Sequence, residues 1–481
     1  MIRTVSSKLK IVIPCDTFAP DINGAARFAE RLAAGLVRHG HEVHIIAPSF
    51  DNSHGSRVES HDGSEMTVHR LRSYKLPQHK TLRMPTPFGM TRTIRKVLEQ
   101  VQPDAIHIQS HLVVGRFAIR AARGFDAKLV ATNHIMPENL IKYSLLPEFT
   151  HKAAMDIVWK DAGRILRKMD AITTPTRRAA ELLEARAKVT GVLAISCGID
   201  ASRFANETPT QNQHPIALFL GRLDDEKRIN VLLEAVAKLT DIPNLRVELV
   251  GDGGERQNLA SLAKRLGIAE RVKFLGHVQD HELPGIYERC SVFVMPSIAE
   301  LQSIATMEAM ASGRPVIGAD AMALPHLVHN GDNGYLFEPN NAADLAAKMR
   351  LVLKADADEL ARLSENSLHL IQSHDIERTL KIFEDLYSGA GKDRPTTLDN
   401  EPSYLVPIGR LSETMRQKLS EWQEDAVRLR ERAESLREEA KERLEDAKER
   451  IDEVRAEVVE QLNEIKSEVT ERAKRLRKRR D

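Results

Sequence analysis

A chain of 481 residues with 42% apolar content is long enough for two or three cored domains. Its 70 basic and 69 acidic residues leave a net charge of +1, so overall charge draws it to no nucleic acid. Cys15, Cys197 and Cys290 stand apart with no Cys-x-x-Cys pair, which excludes a zinc ribbon or disulfide scaffold and suits a reducing cytoplasm. The basic N-terminus carries an apolar run too short for a signal-peptide core. No stretch approaches the roughly 18 apolar residues of a membrane span. A cytoplasmic protein is expected, with peripheral contact at the inner face of the cell membrane left open.

Residues 8–14 (KLKIVIP) read as a short buried strand, followed by a loop with Pro20, Asp21, Asn23 and Gly24. An amphipathic helix over 25–39 closes at Gly40, and 42–47 is the next strand. This β-loop-α-β start predicts a doubly wound parallel sheet, which binds ligands at the carboxyl ends of its strands. The loop lacks Gly-x-Gly-x-x-Gly, so a dinucleotide fingerprint is absent. Residues 50–90 are polar and weakly periodic, with one strand expected at 66–71. Further strands are predicted at 104–108, 128–131 and 171–174, with helices at 114–123, 157–169 and 177–187. Thr132-Asn133-His134 ends the strand at 128–131, which turns His134 toward the crevice. From position alone, a histidine satisfied within its loop is the commoner outcome.

Polar, turn-forming residues 198–213 read as an interdomain linker, after which the pattern restarts. A strand at 215–220 leads to Gly221-Arg222 and to Asp225-Glu226-Lys227 before a helix at 229–239. A strand at 245–250 leads to Gly251-Asp252-Gly253-Gly254, and one at 272–275 to Gly276-His277-Val278. The strand at 290–295 runs into a helix expected to carry Glu300 near its start and Glu308 further in, ending at Gly313. Eight helical residues rise about 12 Å. A bare Glu-x7-Glu is commonly two solvated glutamates on an amphipathic helix. Here Arg222, Lys227, two glycine turns and both glutamates fall at the carboxyl ends of successive strands, where loops converge on one crevice. Two cations beside glycine turns and a helix N-terminus suit a diphosphate, and carboxylates suit paired hydroxyls.

These segments carry a resemblance. PDINGAARFAERLAAGLVRHGHEVHIIAP, Thr132-Asn133-His134, GRLDDEKRINVLLEA, VGDGGER, FLGHV and the Glu-x7-Glu stretch ending EAMASGRPVI resemble, in this order and spacing, the retaining GT-B glycosyltransferases of family 4. The resemblance covers residues 8–388. It implies an α/β fold of two Rossmann-like domains facing a cleft: 1–197 with a return helix within 372–388, and 214–371. It also implies a hexosyltransferase moving sugar from a nucleotide-diphosphate donor of UDP-glucose or GDP-mannose type to a lipid or carbohydrate acceptor. Retention at the anomeric carbon, and no metal or other cofactor, belong to the same expectation. Carried over by position, Arg222 and Lys227 neutralise the diphosphate, Glu308 holds the ribose, and Glu300 holds the transferred sugar beside the backbone of Leu301, Gln302, Ser303 and Ile304. Gly276, His277 and Val278 fall on the donor side. Gly24 admits close backbone approach, and His134 contacts the sugar near the reacting carbon. Where many relatives read Glu-x-Phe-Gly, this chain has Glu300-Leu301-Gln302-Ser303. Ser303 is expected to narrow the approach, and this form looks like a subgroup acting on membrane lipids, which favours a glycolipid or cell-envelope acceptor. Two other readings stand beside it: an epimerase on the same fold, and a silent scaffold acting through its C-terminus.

Residues 389–410, with Pro395, Pro402 and Pro407, read as a second linker. Residues 411–481 contain neither Pro nor Gly, and their apolar positions recur with a period near 3.6, where a left-handed coiled coil needs about 3.5. Three readings stay open for this stretch. It is an oligomerising helix, a membrane-surface helix whose basic end (472–480) meets anionic lipid, or a solvated tail.

Overall fold

The computed structural model describes residues 8–21, 23–51, 53–75, 83–137, 151–205 and 214–389. The second half of the expected linker at 198–213 (206–213), nearly all of that at 389–410, and the charged stretch 411–481 lie outside the described residues.

The N-terminal half builds one sheet from β1 (Lys10–Pro14), β2 (Glu42–Pro48), β3 (Gly55–His61) and β4 (Ser64–Leu71), and from four later strands. A small ribbon of β5 (Ser73–Lys75) and β6 (Arg83–Pro85) comes next in the chain. The sheet is completed by β7 (Ala105–Ile108), β8 (Lys128–Thr132), β9 (Ala171–Thr174) and β10 (Leu193–Ala194). Its order is β10-β9-β8-β7-β1-β2-β4-β3, parallel except for the β3–β4 hairpin. Strands such as β1 (KIVIP) are apolar after their first residue because helices cover both faces of the sheet.

The C-terminal half repeats the plan with β11 (Ile216–Leu220), β12 (Arg246–Val250), β13 (Val272–Gly276), β14 (Val292–Met295), β15 (Val316–Ala319) and β16 (Gly334–Phe337). The order is β13-β12-β11-β14-β15-β16, and every pairing is parallel. The order reverses at β11 and β14, so the loops leaving their carboxyl ends open a crevice between them. A single core of buried Leu, Ile, Val and Phe spans this half.

The last described helix, Ile376–Tyr387, leaves the second sheet and returns to the first. Ile376, Leu380, Phe383 and Tyr387 share one core with Phe28, Leu32 and β1. A Cβ added to Gly35 would stand 2.5 Å from Leu380 Cδ1, so the two helices meet through the missing side chain. Tyr387 Oη lies 2.6 Å from His107 Nδ1, which carries the contact beneath the first sheet.

Three expectations are corrected. Residues 50–90 hold four strands where one was expected. The missed β3 is mostly polar and half exposed, so it lacks an apolar signature, although Asp62-Gly63, both at positive φ, is the tight hairpin turn that Asp-Gly favours. The helix expected at 157–169 runs over His151–Leu166, and an unassigned helix fills Met90–Val101. Among the described residues no helix is long and apolar enough to cross a membrane.

Leu380→Ala is expected to destabilise the protein by about 2–5 kcal/mol, the usual cost of a cavity in a core that cannot collapse. Urea unfolding would read this as a lower midpoint, and an unchanged midpoint would show that the return helix is not anchored there.

Candidate active site

The carboxyl edges of the two sheets face each other across a cavity of about 550 Å³. Asn23, Gly24 and Arg27 line it from the N-terminal half. Arg222, Lys227, His277, Val278, Glu300, Gln302, Ser303, Ile304 and Glu308 line it from the C-terminal half.

The first wall is a helix start. Asn23 caps the Gly24–Arg38 helix, its side chain accepting from Ala26 N at 2.9 Å. The helix N-terminus, with its free N–H groups, therefore opens on the cavity. Apart from its own stretch of chain, nothing lies within 4 Å of where a Gly24 Cβ would stand, so that wall is open.

The opposite wall follows from close loop packing. A Cβ on Gly251, at φ 120, would stand 2.0 Å from Gly221 O. Only glycine there lets the turn after β12 press on the turn after β11, which holds Arg222 and Lys227 at the rim. Arg222 donates to Glu226 at 2.8 Å and also meets Asp224. Lys227, ending a short 3-10 turn, is paired with Glu300.

Glu300 is not on a helix. The expected long helix begins at Ile304 and runs to Ala311, with Ser303 as its cap accepting weakly from Thr306 N. Pro296 and Ser297 open a loop pinned by Ile298 N to Glu226 O and by Ala323 N to Glu300 O, each at 3.2 Å. The two glutamates are thus separated by a loop and little more than one helical turn, and the 12 Å helical spacing does not apply. Ser303, at φ −93, occupies an ordinary conformation and uses its hydroxyl to start the helix.

Glu308 sits inside that helix with a side chain 4% exposed. Its Oε1 accepts from Arg31 Nη2 at 2.8 Å and its Oε2 from the Tyr287 hydroxyl at 2.9 Å. Two residues of the loop that precedes the helix also reach the N-terminal half. Gln302 accepts from Cys197 N at 2.7 Å and donates to Ser196 Oγ at 3.0 Å. Leu301 O accepts from Thr176 Oγ1 at 2.9 Å.

Among the candidates, His134, Gly276 and Leu301 are not on the cavity wall. Gly276 O accepts from Gly251 N at 2.7 Å, which joins two of the loops behind it. His134 packs against Phe28, with ring centroids 4.9 Å apart, and its Nε2 lies 3.1 Å from Gln109 Oε1. Burial pushes its pKa down to about 3, so the ring is neutral near pH 7. Sequence reasoning missed Arg27, Phe50 and Arg83 on the wall, and Arg31 and Tyr287 behind Glu308. Arg27 and Arg31 were within reach, because two arginines four residues apart near a helix start at a carboxyl edge point to the crevice. Tyr287 gives no local signal. Among the described residues no group of three or more His, Cys, Asp or Glu is placed to hold a metal ion.

A family model for glycosyl transferases group 1 matches residues 200–369, and one for glycosyltransferase family 4 matches residues 22–203. The chain is 28% identical over 339 residues to a GDP-mannose-dependent alpha-mannosyltransferase of Mycolicibacterium smegmatis, covering 69% of this chain and 84% of that protein. It is 24% identical over 398 residues to the alpha-monoglucosyldiacylglycerol synthase of Acholeplasma laidlawii, covering 79% of this chain and 96% of that one. Among solved structures, sucrose-phosphate synthase from Thermosynechococcus elongatus superposes with a TM-score of 0.66 at 21% identity, covering 80% of this chain and 99% of its own, which shows the shared fold.

His134, His107 and His374 are each held by burial near pKa 3, and His69 and His111 near 4. Each lies below the unfolded value of about 6.5, so the unfolded chain binds the extra protons and stability falls with pH below that value. His39 and His61, raised by carboxylate partners against the opposing effect of burial, run the other way but are fewer. Denaturant midpoints are therefore expected to fall between pH 7 and pH 5.5. A rise over that interval would mean that these rings carry protons in the folded protein.

Proposed function

We propose that this chain, which belongs to the GT-B glycosyltransferases of group 1 and family 4, transfers a hexose from a nucleotide-diphosphate sugar to an acceptor hydroxyl with retention of configuration. The observation that carries the reading is the charge arrangement on one cavity wall. Arg222 and the paired Lys227 and Glu300 stand at the rim, and the buried Glu308 stands behind them.

In the proposed complex the diphosphate lies by Arg222 and Lys227, and Lys227 exchanges its carboxylate partner for phosphate. Glu300 is then free to accept from hydroxyls of the transferred sugar, while Glu308 takes the ribose. As the bond from the anomeric carbon to the phosphate oxygen breaks, negative charge gathers on the diphosphate, where the two cations stabilise it. The acceptor oxygen bonds to the anomeric carbon on the face the diphosphate leaves, and its proton passes to a leaving phosphate oxygen. The cleft contributes charge stabilisation and alignment, and the side chains meet the phosphate charge without a metal. On this reading His134, packed against Phe28, supports the N-terminal wall as a neutral ring. The Mycolicibacterium relative, named for GDP-mannose, and the Acholeplasma relative, named for a glycolipid product, support a mannosyl or glucosyl donor. The Acholeplasma name also supports a lipid acceptor, and on this reading the protein works at the cytoplasmic face of the membrane.

Purified protein offered GDP-mannose and UDP-glucose separately, with diacylglycerol and phosphatidylinositol in detergent, is expected to release one nucleoside diphosphate in step with a new glycolipid of α configuration by NMR. A β product would overturn retention. Lys227→Ala is expected to lower turnover by about two to three orders of magnitude, as loss of a charge-stabilising donor does elsewhere. Near wild-type turnover would remove the phosphate role from Lys227.

A further inference from the structure

Arg31 reaches the cleft from the opposite half of the protein yet is absent from the cavity wall. It lies on the Gly24–Arg38 helix, one turn beyond Arg27, with a side chain 11% exposed. Its Nη2 donates to Glu308 Oε1 at 2.8 Å across the interface between the halves. Its Nη1 is buried and has no hydrogen-bond partner. A buried ion pair is a poor source of net stability, because two charges must be stripped of water to make it. Its placement on a carboxylate that lines the cavity suggests a use in recognition.

An ionised carboxylate offers about four acceptor sites. Arg31 takes one on Oε1 and Tyr287 takes one on Oε2. The two that remain, one on each oxygen, match in number the vicinal hydroxyls of a ribose. The terminal torsion of a glutamate is broad, so one anchor leaves the carboxylate plane free to swing. Two anchors on different oxygens fix it. Tyr287 belongs to the same half as Glu308, and Arg31 does not, so the second anchor exists only while the halves are together.

We infer that Arg31 is a positioning residue for nucleotide recognition, fixing the Glu308 carboxylate so that ribose hydroxyls are read when the cleft is closed. The inference rests on the reading of Glu308 as the ribose carboxylate. It makes selection for ribose over deoxyribose a property of both halves, although the nucleotide lies against one.

The test is calorimetric titration of the full chain with GDP and UDP against their 2′-deoxy counterparts. The wild type is expected to prefer one of the ribonucleotides over its deoxy form by about tenfold or more, the scale of a lost hydrogen bond to a charged group. Arg31→Gln is expected to bring that ratio to within about threefold of unity. Arg31→Lys, which keeps the charge but not the planar fork, serves where the glutamine variant is not recovered folded and is expected to restore part of the ratio. If Arg31 variants weaken ribo and deoxy ligands equally, Arg31 is merely structural and the inference is overturned while the ribose reading stands. Glu308→Gln is measured in parallel. If it leaves the ratio unchanged, or if the wild type binds neither diphosphate, the ribose reading itself is wrong and the inference falls with it.

Discussion

A charge inside a cleft must have a partner, and this constraint accounts for much of how the two halves meet. Arg27, Arg31 and Lys227 are largely withdrawn from water, and each is paired with a carboxylate: Asp280, Glu308 and Glu300. An unpaired charge in such surroundings costs several kcal/mol. Two of the three pairs cross from one half to the other, so the need to satisfy the cavity's charges also draws the halves together. On the proposed reading the carboxylates stand in for substrate. Glu300 occupies Lys227 until a phosphate does, and the site keeps its cations ready without leaving any of them bare.

Geometry behind the charges comes from the sheets. Parallel strands deliver all their loops to one edge, so Arg222, Lys227, His277, Glu300 and Glu308 reach one wall from several different strand ends. Glycine sets how tightly those loops stack. With Gly251 against Gly221 O, two turns share a volume that no side chain would allow. The return helix gives the N-terminal half comparable rigidity by closing the core beneath β1 and placing Tyr387 against His107. That half is thereby held as a firm base for Asn23, Gly24 and the helix that carries both interface arginines.

The parts of the fold that were legible in the sequence are those buried on both faces. β1, β11 and β14 are largely apolar runs that end at or lead into proline or glycine. Between amphipathic helices, an apolar run too short to be a helix itself fits a strand covered on both sides. β3 was illegible because its residues face water and hairpin partners equally, although Asp62-Gly63 marks the turn that ends it. The Glu300–Glu308 helix was overextended for a different reason. Residues 298–311 look continuously helix-compatible, and the break at Ser303 depends on a cap that competes with helix propagation. In the site, residue types at strand ends were legible because topology alone fixes where strand ends go. The partners were not. Arg31 and Glu308 are 277 positions apart, and only the folded arrangement of both halves brings them together.

That separation has a consequence for how the site works. Within one half, Tyr287 and Glu308 lie 21 positions apart and share a local framework, so their contact does not draw on the other half. Contacts made by Arg31, Arg27, Thr176 and Ser196 to the C-terminal half do not share that framework. Those of Arg31, Thr176 and Ser196 fall on Glu308, Leu301 and Gln302, within a short stretch whose residues 302–305 and 308 line the cavity. On the proposed reading, a ligand that settles against this stretch meets the same groups that join the halves, so binding and closure are linked. Linkage makes the effect reciprocal: whatever free energy closure adds to ligand binding, the ligand adds to closure. Coupling of this kind needs no separate hinge signal. It follows from placing a ligand-facing carboxylate and the interface's hydrogen bonds on the same short stretch of chain.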